Sequence, residues 1–459
     1  MKQLTVLPLV AIISGLMVGC GGGGGGSSSP APKSYKIQFV HMLVNQDPAN
    51  ISSTCSSPTY FKEYPTGNVD YAQVATNIHA IDSYNADGSF NQSLISKISP
   101  NGVLTFTEND VEDGGYITLI DNVGTSSSPI FHTISIQKQF LGNYLVNVES
   151  PQGNQSSCYQ DGKLTIDKTQ RVMNLSSDGG LGTITESGFE TYRDGEVLTP
   201  SSQTIKKPIH LVSSNEYVLG KAYNNEKIKG YVLARGSELS IDGDQSPNSQ
   251  VLKVLTDEVS LNWPTSPSYT FNSVDVKALA RNERYKWQSV TNANRSILVS
   301  DELSYSLYMT GAMNTWSIYS VQPQVASSMD VELTETTVSS GIYPELVCSG
   351  GRCVVDNNGV VATDLNRLQR AYFEVSANSK HTIYAEPNNH DELIIPDYKI
   401  GNSYKPSGSE PIEVSYINYG DSYTSDFFEL IMNKYNDPES SATYVDKVSV
   451  LKTPQKLES

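Results

Sequence analysis

Apolar and polar positions alternate with a period of two along most of this chain. Tyr35-Lys36-Ile37-Gln38-Phe39-Val40 shows the pattern first. Val103 to Thr107, Tyr116 to Ile120, Thr133 to Gln137, Val331 to Thr336 and Val448 to Val450 repeat it. Successive side chains of a strand point to opposite faces, so this period predicts half-buried β-strands. Turn-forming pairs punctuate the runs: Asp87-Gly88, Gly114-Gly115, Asp178-Gly179, Asp194-Gly195, Asp242-Gly243 and Asn358-Gly359. Gly, Asn and Asp tolerate the backbone that tight turns need. Tyr305 to Met309, Gly311 to Asn314 and Trp316 to Val321 read together as one complete hairpin. Two stretches, Thr363 to Tyr372 and Ser425 to Tyr435, read as helices behind a capping residue, and each also suits a strand. The expected fold class is all-β, built of multiple β-sandwich-like domains with few short helices. Pro200-Ser201-Ser202 to Lys207-Pro208 and Gln322-Pro323-Gln324 to Ser328 read as linkers, which gives β domains over residues 35–204, 205–324 and 325–459.

The first residues follow another pattern. Lys2 supplies a positive charge, Leu4 to Val18 is mostly apolar, and Leu16-Met17-Val18-Gly19-Cys20 closes the run. That run is too short for a comfortable membrane span, and it reads as a signal peptide over residues 1–19. Its end resembles the lipobox of bacterial lipoproteins, with Met17 where that pattern more often has Leu. The resemblance implies that Cys20 becomes the first residue of the mature protein, that its thiol carries a diacylglycerol, and that its new amino terminus is acylated. Several acyl chains make a stable anchor where one would be marginal. Gly21 to Gly26, Ser27 to Ser29 and Pro30-Ala31-Pro32 follow. Residues 20–34 therefore read as a lipidated cysteine and a flexible tether, with a random-coil reach of about 20 Å. The glycines do not form a phosphate-binding loop, because no strand precedes them and no Lys-Ser or Lys-Thr follows. Lipoproteins kept in the inner membrane often carry Asp after the cysteine. Gly21 stands there, so the resemblance implies the cell outer membrane.

Charge narrows the partners. Removing the leader removes only Lys2, leaving 31 basic and 49 acidic residues and a net charge of −18. So acidic a chain is a poor match for nucleic acid or anionic lipid head groups. The expected partners are a membrane, reached through the lipid on Cys20, and a surface protein or glycan. Tyr (27) far exceeds Phe (11), a mix that suits exported β-proteins with wet, hydrogen-bonding surfaces.

Four cysteines remain: Cys55, Cys158, Cys348 and Cys353. An even number in an oxidising compartment reads as two disulfides. Cys348-Ser-Gly-Gly-Arg-Cys353 lies between Leu346-Val347 and Val354-Val355, so a hairpin with a Gly-Gly loop would place the two cysteines opposite each other. Cys55 and Cys158 pair by elimination. A zinc site would need paired short spacings with histidine nearby, and only one pair is close.

Candidate chemistry is thin. Ile37 to His41 followed by Asp47-Pro48 resembles the opening strand and turn of a small β-sandwich domain of unknown function in bacterial surface proteins, which implies no activity. Gly420-Asp421-Ser422 resembles the nucleophile motif of the GDS-type esterases, but there it stands near the start with Asp and His near the end. Here the last histidine, His390, precedes Ser422. His390-Asp391-Glu392 offers three metal-ligand types on consecutive positions, which point to opposite faces of a strand. Asp242-Gly243-Asp244, and Asp356-Asn357-Asn358-Gly359 with Asp364, suit calcium in residue type but lack full EF-hand spacing. Trp263, Trp287 and Trp316 could stack on sugars or fill a core. These weigh toward no catalytic residues, no metal and no cofactor. The expectation is a lipid-anchored outer-membrane or cell-surface protein with a binding or structural role, in adhesion, the envelope or a sheathed appendage. The runner-up is an envelope hydrolase with an unrecognised active site.

Overall fold

The computed structural model describes residues 31–419 and 448–454, apart from 56–57, 65–66, 154–156, 161–166, 178, 192–194, 201–203, 212, 245–247, 263–268, 282, 292–293, 328, 332–337, 339–340, 361–367 and 388–391. These residues form an all-β structure of several sheets, and every helical segment among them is a three-residue 3-10 turn. The alternating runs are strands: Ser34–Gln46, Val103–Thr107, Tyr116–Asn122, Phe131–Gln137 and Val448–Lys452. Val331 to Thr336 lies almost wholly outside the described residues. The predicted hairpin exists, but Ser304–Met313 and Trp316–Gln324 run on to Met313 opposite Trp316, so the turn is Asn314-Thr315 and not the longer loop expected. Asn314 supplies its positive φ of 55°.

A twelve-stranded sheet organises the molecule. Its order is Glu283–Val290, Tyr269–Ala280, Ser304–Met313, Trp316–Gln324, Val448–Lys452, Ile412–Tyr419, Leu368–Glu374, Ser379–Ala385, Phe131–Gln137, Tyr116–Asn122, Ala80–Tyr84 and Phe90–Ser93. All neighbours are antiparallel except Ser379–Ala385 beside Phe131–Gln137. The middle of this sheet is covered on both faces. On one side lies a five-stranded sheet built around Ser34–Gln46, whose Tyr35, Ile37 and Phe39 pack with Ile81, Ile117, Leu119, Ile417 and Val450. On the other lies a three-stranded sheet of Glu345–Ser349, Arg352–Asp356 and Glu392–Ile394, whose Leu346, Val355 and Leu393 pack with Tyr116, Ile383, Val414 and Tyr416. A strand buried on both faces loses strict alternation. That explains Leu368–Glu374, part of the stretch Thr363 to Tyr372 that suited a helix or a strand. The other such stretch, Ser425 to Tyr435, lies outside the described residues.

The stretch from Asp167 to Val254 is a β-sandwich. A sheet around Asp167–Ser176 faces one of Gly195–Pro200, Glu186–Thr191, Tyr217–Asn224, Lys227–Arg235 and Lys253–Val254. Met173, Leu175, Ile209 and Leu211 meet Phe189, Val218, Ala222 and Ala234 between them. The outer face of the second sheet presents Leu219, Tyr223 and Tyr231 to Val276, Trp287 and Tyr305 of the large sheet. The expected boundaries at 204 and 324 do not separate sheets. Residue 204 begins strand Thr204–Leu211, residue 324 ends strand Trp316–Gln324, and the large sheet takes strands from all three expected domains. Proline at 200, 208 and 323 suggested linkers, yet proline is tolerated at strand ends and edges.

Both disulfides join the expected partners. Cys348 and Cys353 stand opposite each other in the hairpin, Cα atoms 4.1 Å apart, and Cys55 and Cys158 lie 4.8 Å apart.

Candidate functional site

Several residues singled out from the sequence, namely Cys20, Ser422, His390, Asp391, Asp364 and Trp263, lie outside the described residues. The others divide by environment. Trp287 and Trp316 are wholly buried, and Trp287 Nε1 donates to the Leu298 carbonyl at 2.8 Å. Neither offers a ring to a sugar. Asp244 Oδ2 accepts from Ile241 N at 3.0 Å and Asp356 Oδ1 from Asn358 N at 2.8 Å, which is turn chemistry. Asn357 is drawn into the core, where its Oδ1 accepts from Tyr416 Oη and from Gln369 Nε2, each at 2.8 Å. Among the described residues no three His, Cys, Asp or Glu side chains gather as a metal would require. Glu392 alone, of the triplet His390-Asp391-Glu392, is described, and it lines a cleft.

A constellation that the sequence did not signal surrounds His381, on the strand that makes the parallel pairing. The ring has no solvent exposure and lies stacked between Phe373 and Tyr398, centroids 5.0 and 4.7 Å away. Its Nδ1 is 2.8 Å from Thr133 Oγ1, and its Nε2 is 2.7 Å from Ser379 Oγ and 3.0 Å from the Tyr404 carbonyl. A carbonyl only accepts, so the pattern fits a neutral ring with Nε2–H donating and Nδ1 accepting from Thr133. Burial pushes its pKa down to about 4. A serine and a histidine in hydrogen-bond contact are the elements of a nucleophile and its base. Ser379 is as buried as His381, so no substrate reaches the pair. It joins segments 248 residues apart in sequence.

The cleft lies where the three-stranded sheet meets the rim of the large sheet. Its volume is about 300 Å³, and its walls include Tyr116, Gln137, Arg352, Glu386, Glu392 and Ile394. Tyr116 and Gln137 are cross-strand partners. Gln137 is fully engaged: its Oε1 accepts from Glu386 N at 2.8 Å and its Nε2 donates to the Gly114 carbonyl at 3.2 Å. Glu386 Oε2 accepts from Gln139 at 2.8 Å. Tyr116 differs. It is only 2% exposed, and its hydroxyl has no hydrogen-bond partner among the described residues. Burial raises its pKa, so the hydroxyl stays a neutral donor. Arg352 and Glu392 are exposed and, among the described residues, make neither hydrogen bond nor salt bridge; Asp87 feels the Arg352 charge only weakly. A concave site with a few convergent, unsatisfied polar groups is the usual form of a ligand site. No signal in the sequence marks Tyr116 or Arg352, because what distinguishes them is a missing partner.

Fold and cleft define an all-β protein of stacked sheets with a small polar pocket at a sheet junction. No family model matches the chain, and no curated protein is significantly similar to it.

Proposed function

We propose that this chain is a lipid-anchored envelope protein that acts by binding. The leader ending in Leu16-Met17-Val18-Gly19-Cys20 and the Gly/Ser tether support the anchor, at the cell outer membrane. One observation supports binding above all: the cleft presents the Tyr116 hydroxyl, Arg352 and Glu392 at its walls, none of them paired among the described residues. Ser379 and His381, the described pair nearest to catalytic chemistry, have no access to solvent. The competing reading, hydrolysis at Ser422, has a direct test. The purified protein is expected to resist a fluorophosphonate probe. Stoichiometric labelling that disappears in Ser422→Ala would replace binding by hydrolysis.

A further inference from the structure

The cleft has a shape and polarity that specify its ligand more closely than "binding" does. All three residues of strand Glu392–Ile394 line it. Side chains of consecutive strand residues alternate between faces, so three in a row border one cleft only where the backbone edge borders it. This strand is the edge of its sheet. Ile395 N donates to the Cys353 carbonyl at 3.1 Å, and Val354 stands opposite Ile394. Antiparallel pairs alternate between bonded and non-bonded. The N–H and C=O groups of Glu392 and Ile394 therefore point away from strand Arg352–Asp356, toward the outer edge, where Gly88 packs against Ile394 and Ile395 at one end.

The charges are spaced along the same line. The register sets Asp356 opposite Glu392, so Arg352 and Glu392 are four strand positions apart and share one face. At 3.2–3.4 Å per residue that is roughly 13 Å. An extended peptide of three or four residues spans this distance. A guanidinium suits a terminal carboxylate bidentately, and a carboxylate suits a terminal ammonium. Tyr116 stands ready to donate to a peptide carbonyl.

We propose that the cleft binds a short extended peptide with free ends, three or four residues long, lying along the edge of strand Glu392–Ile394 with its amino end at Glu392 and its carboxylate at Arg352. Main-chain bonds to the edge supply affinity and the two charges set length and direction. This rests on the binding reading above, but its test does not involve the lipid.

The test is calorimetric titration of the full mature protein in detergent micelles with two probes: tetra-alanine with free ends, and tetra-alanine acetylated and amidated. The free peptide is expected to bind at least about tenfold more tightly, the scale of a lost hydrogen bond to a charged group. Arg352→Gln should remove most of that difference, its loss falling mainly on the free peptide. Tyr116→Phe should weaken both several-fold. Circular dichroism and intact disulfides confirm that each variant is folded. Equal binding of the two peptides, binding of neither, or an equal effect of Arg352→Gln on both would each overturn the proposal. Failure of the anchor would instead show as unacylated protein that still binds the free peptide.

Discussion

A histidine with no solvent contact is held neutral, and that makes His381 a source of pH dependence. Unfolded, it titrates near 6.5; folded, near 4, with burial outweighing the favourable charge of Glu410. Between those values the unfolded state binds more protons. Its contribution to stability is therefore complete above about pH 6.5 and is lost as pH falls toward 4, by about 3 kcal/mol in all. Urea denaturation of wild type and His381→Gln from pH 7 to 4 should show a steeper loss in the wild type. Parallel profiles would disprove it. At this scale the sequence spoke unevenly. Cys348 and Cys353 were legible because a hairpin with a Gly-Gly loop forces them opposite each other. His381, Tyr116 and Arg352 were not, because burial and the absence of a partner are properties of distant segments.

Between elements, Lys221 makes a fully buried polar joint. It has no exposure. Its Nζ donates at 2.7 Å to Glu190 Oε2, to Glu196 Oε1 and to the Lys286 carbonyl, which satisfies all three donors. The first two partners are strand neighbours in the sandwich and the third belongs to the large sheet, so one ammonium ties the two bodies together. Tyr223 donates to Glu196 at 2.9 Å and completes the set. Removing one partner of a buried ionic group typically costs about 3–5 kcal/mol because the rest stay buried and unpaired. Lys221→Met should lower the urea midpoint accordingly, and a change below 1 kcal/mol would show that the carboxylates find water instead. The Cys55–Cys158 bridge closes a loop of about a hundred residues, so its selective reduction should cost about 4–5 kcal/mol. An unchanged melting temperature after selective reduction would contradict that. Strand existence was legible in alternating runs such as Ser34–Gln46, one face of which meets water. At Leu368–Glu374 it stayed undecided between helix and strand, because layers on both faces bury Gln369 and Arg370 and erase the alternation.

Across the whole molecule, sheet order departs most from what the chain order suggested. Phe131–Gln137 pairs with Ser379–Ala385, and Trp316–Gln324 pairs with Val448–Lys452. Such pairings join residues more than a hundred positions apart and leave no local mark. Residues 325–459 made alone would therefore lack both flanking strands and should remain unfolded by circular dichroism. A cooperative thermal transition in that fragment would show that it closes by itself. The same order puts the N-terminal strand in the layer over the large sheet, where Glu108 N donates to the Lys33 carbonyl at 2.9 Å. Anchor and cleft are thus separate parts of one account, and the anchor is the claim on which the cellular role depends. It is tested most directly by metabolic labelling with radioactive palmitate, comparing wild type with Cys20→Ser. The wild-type protein should carry label and fractionate with the outer membrane, and the variant should carry none and be either uncleaved or soluble. A variant that still takes up palmitate and stays with the membrane would contradict it.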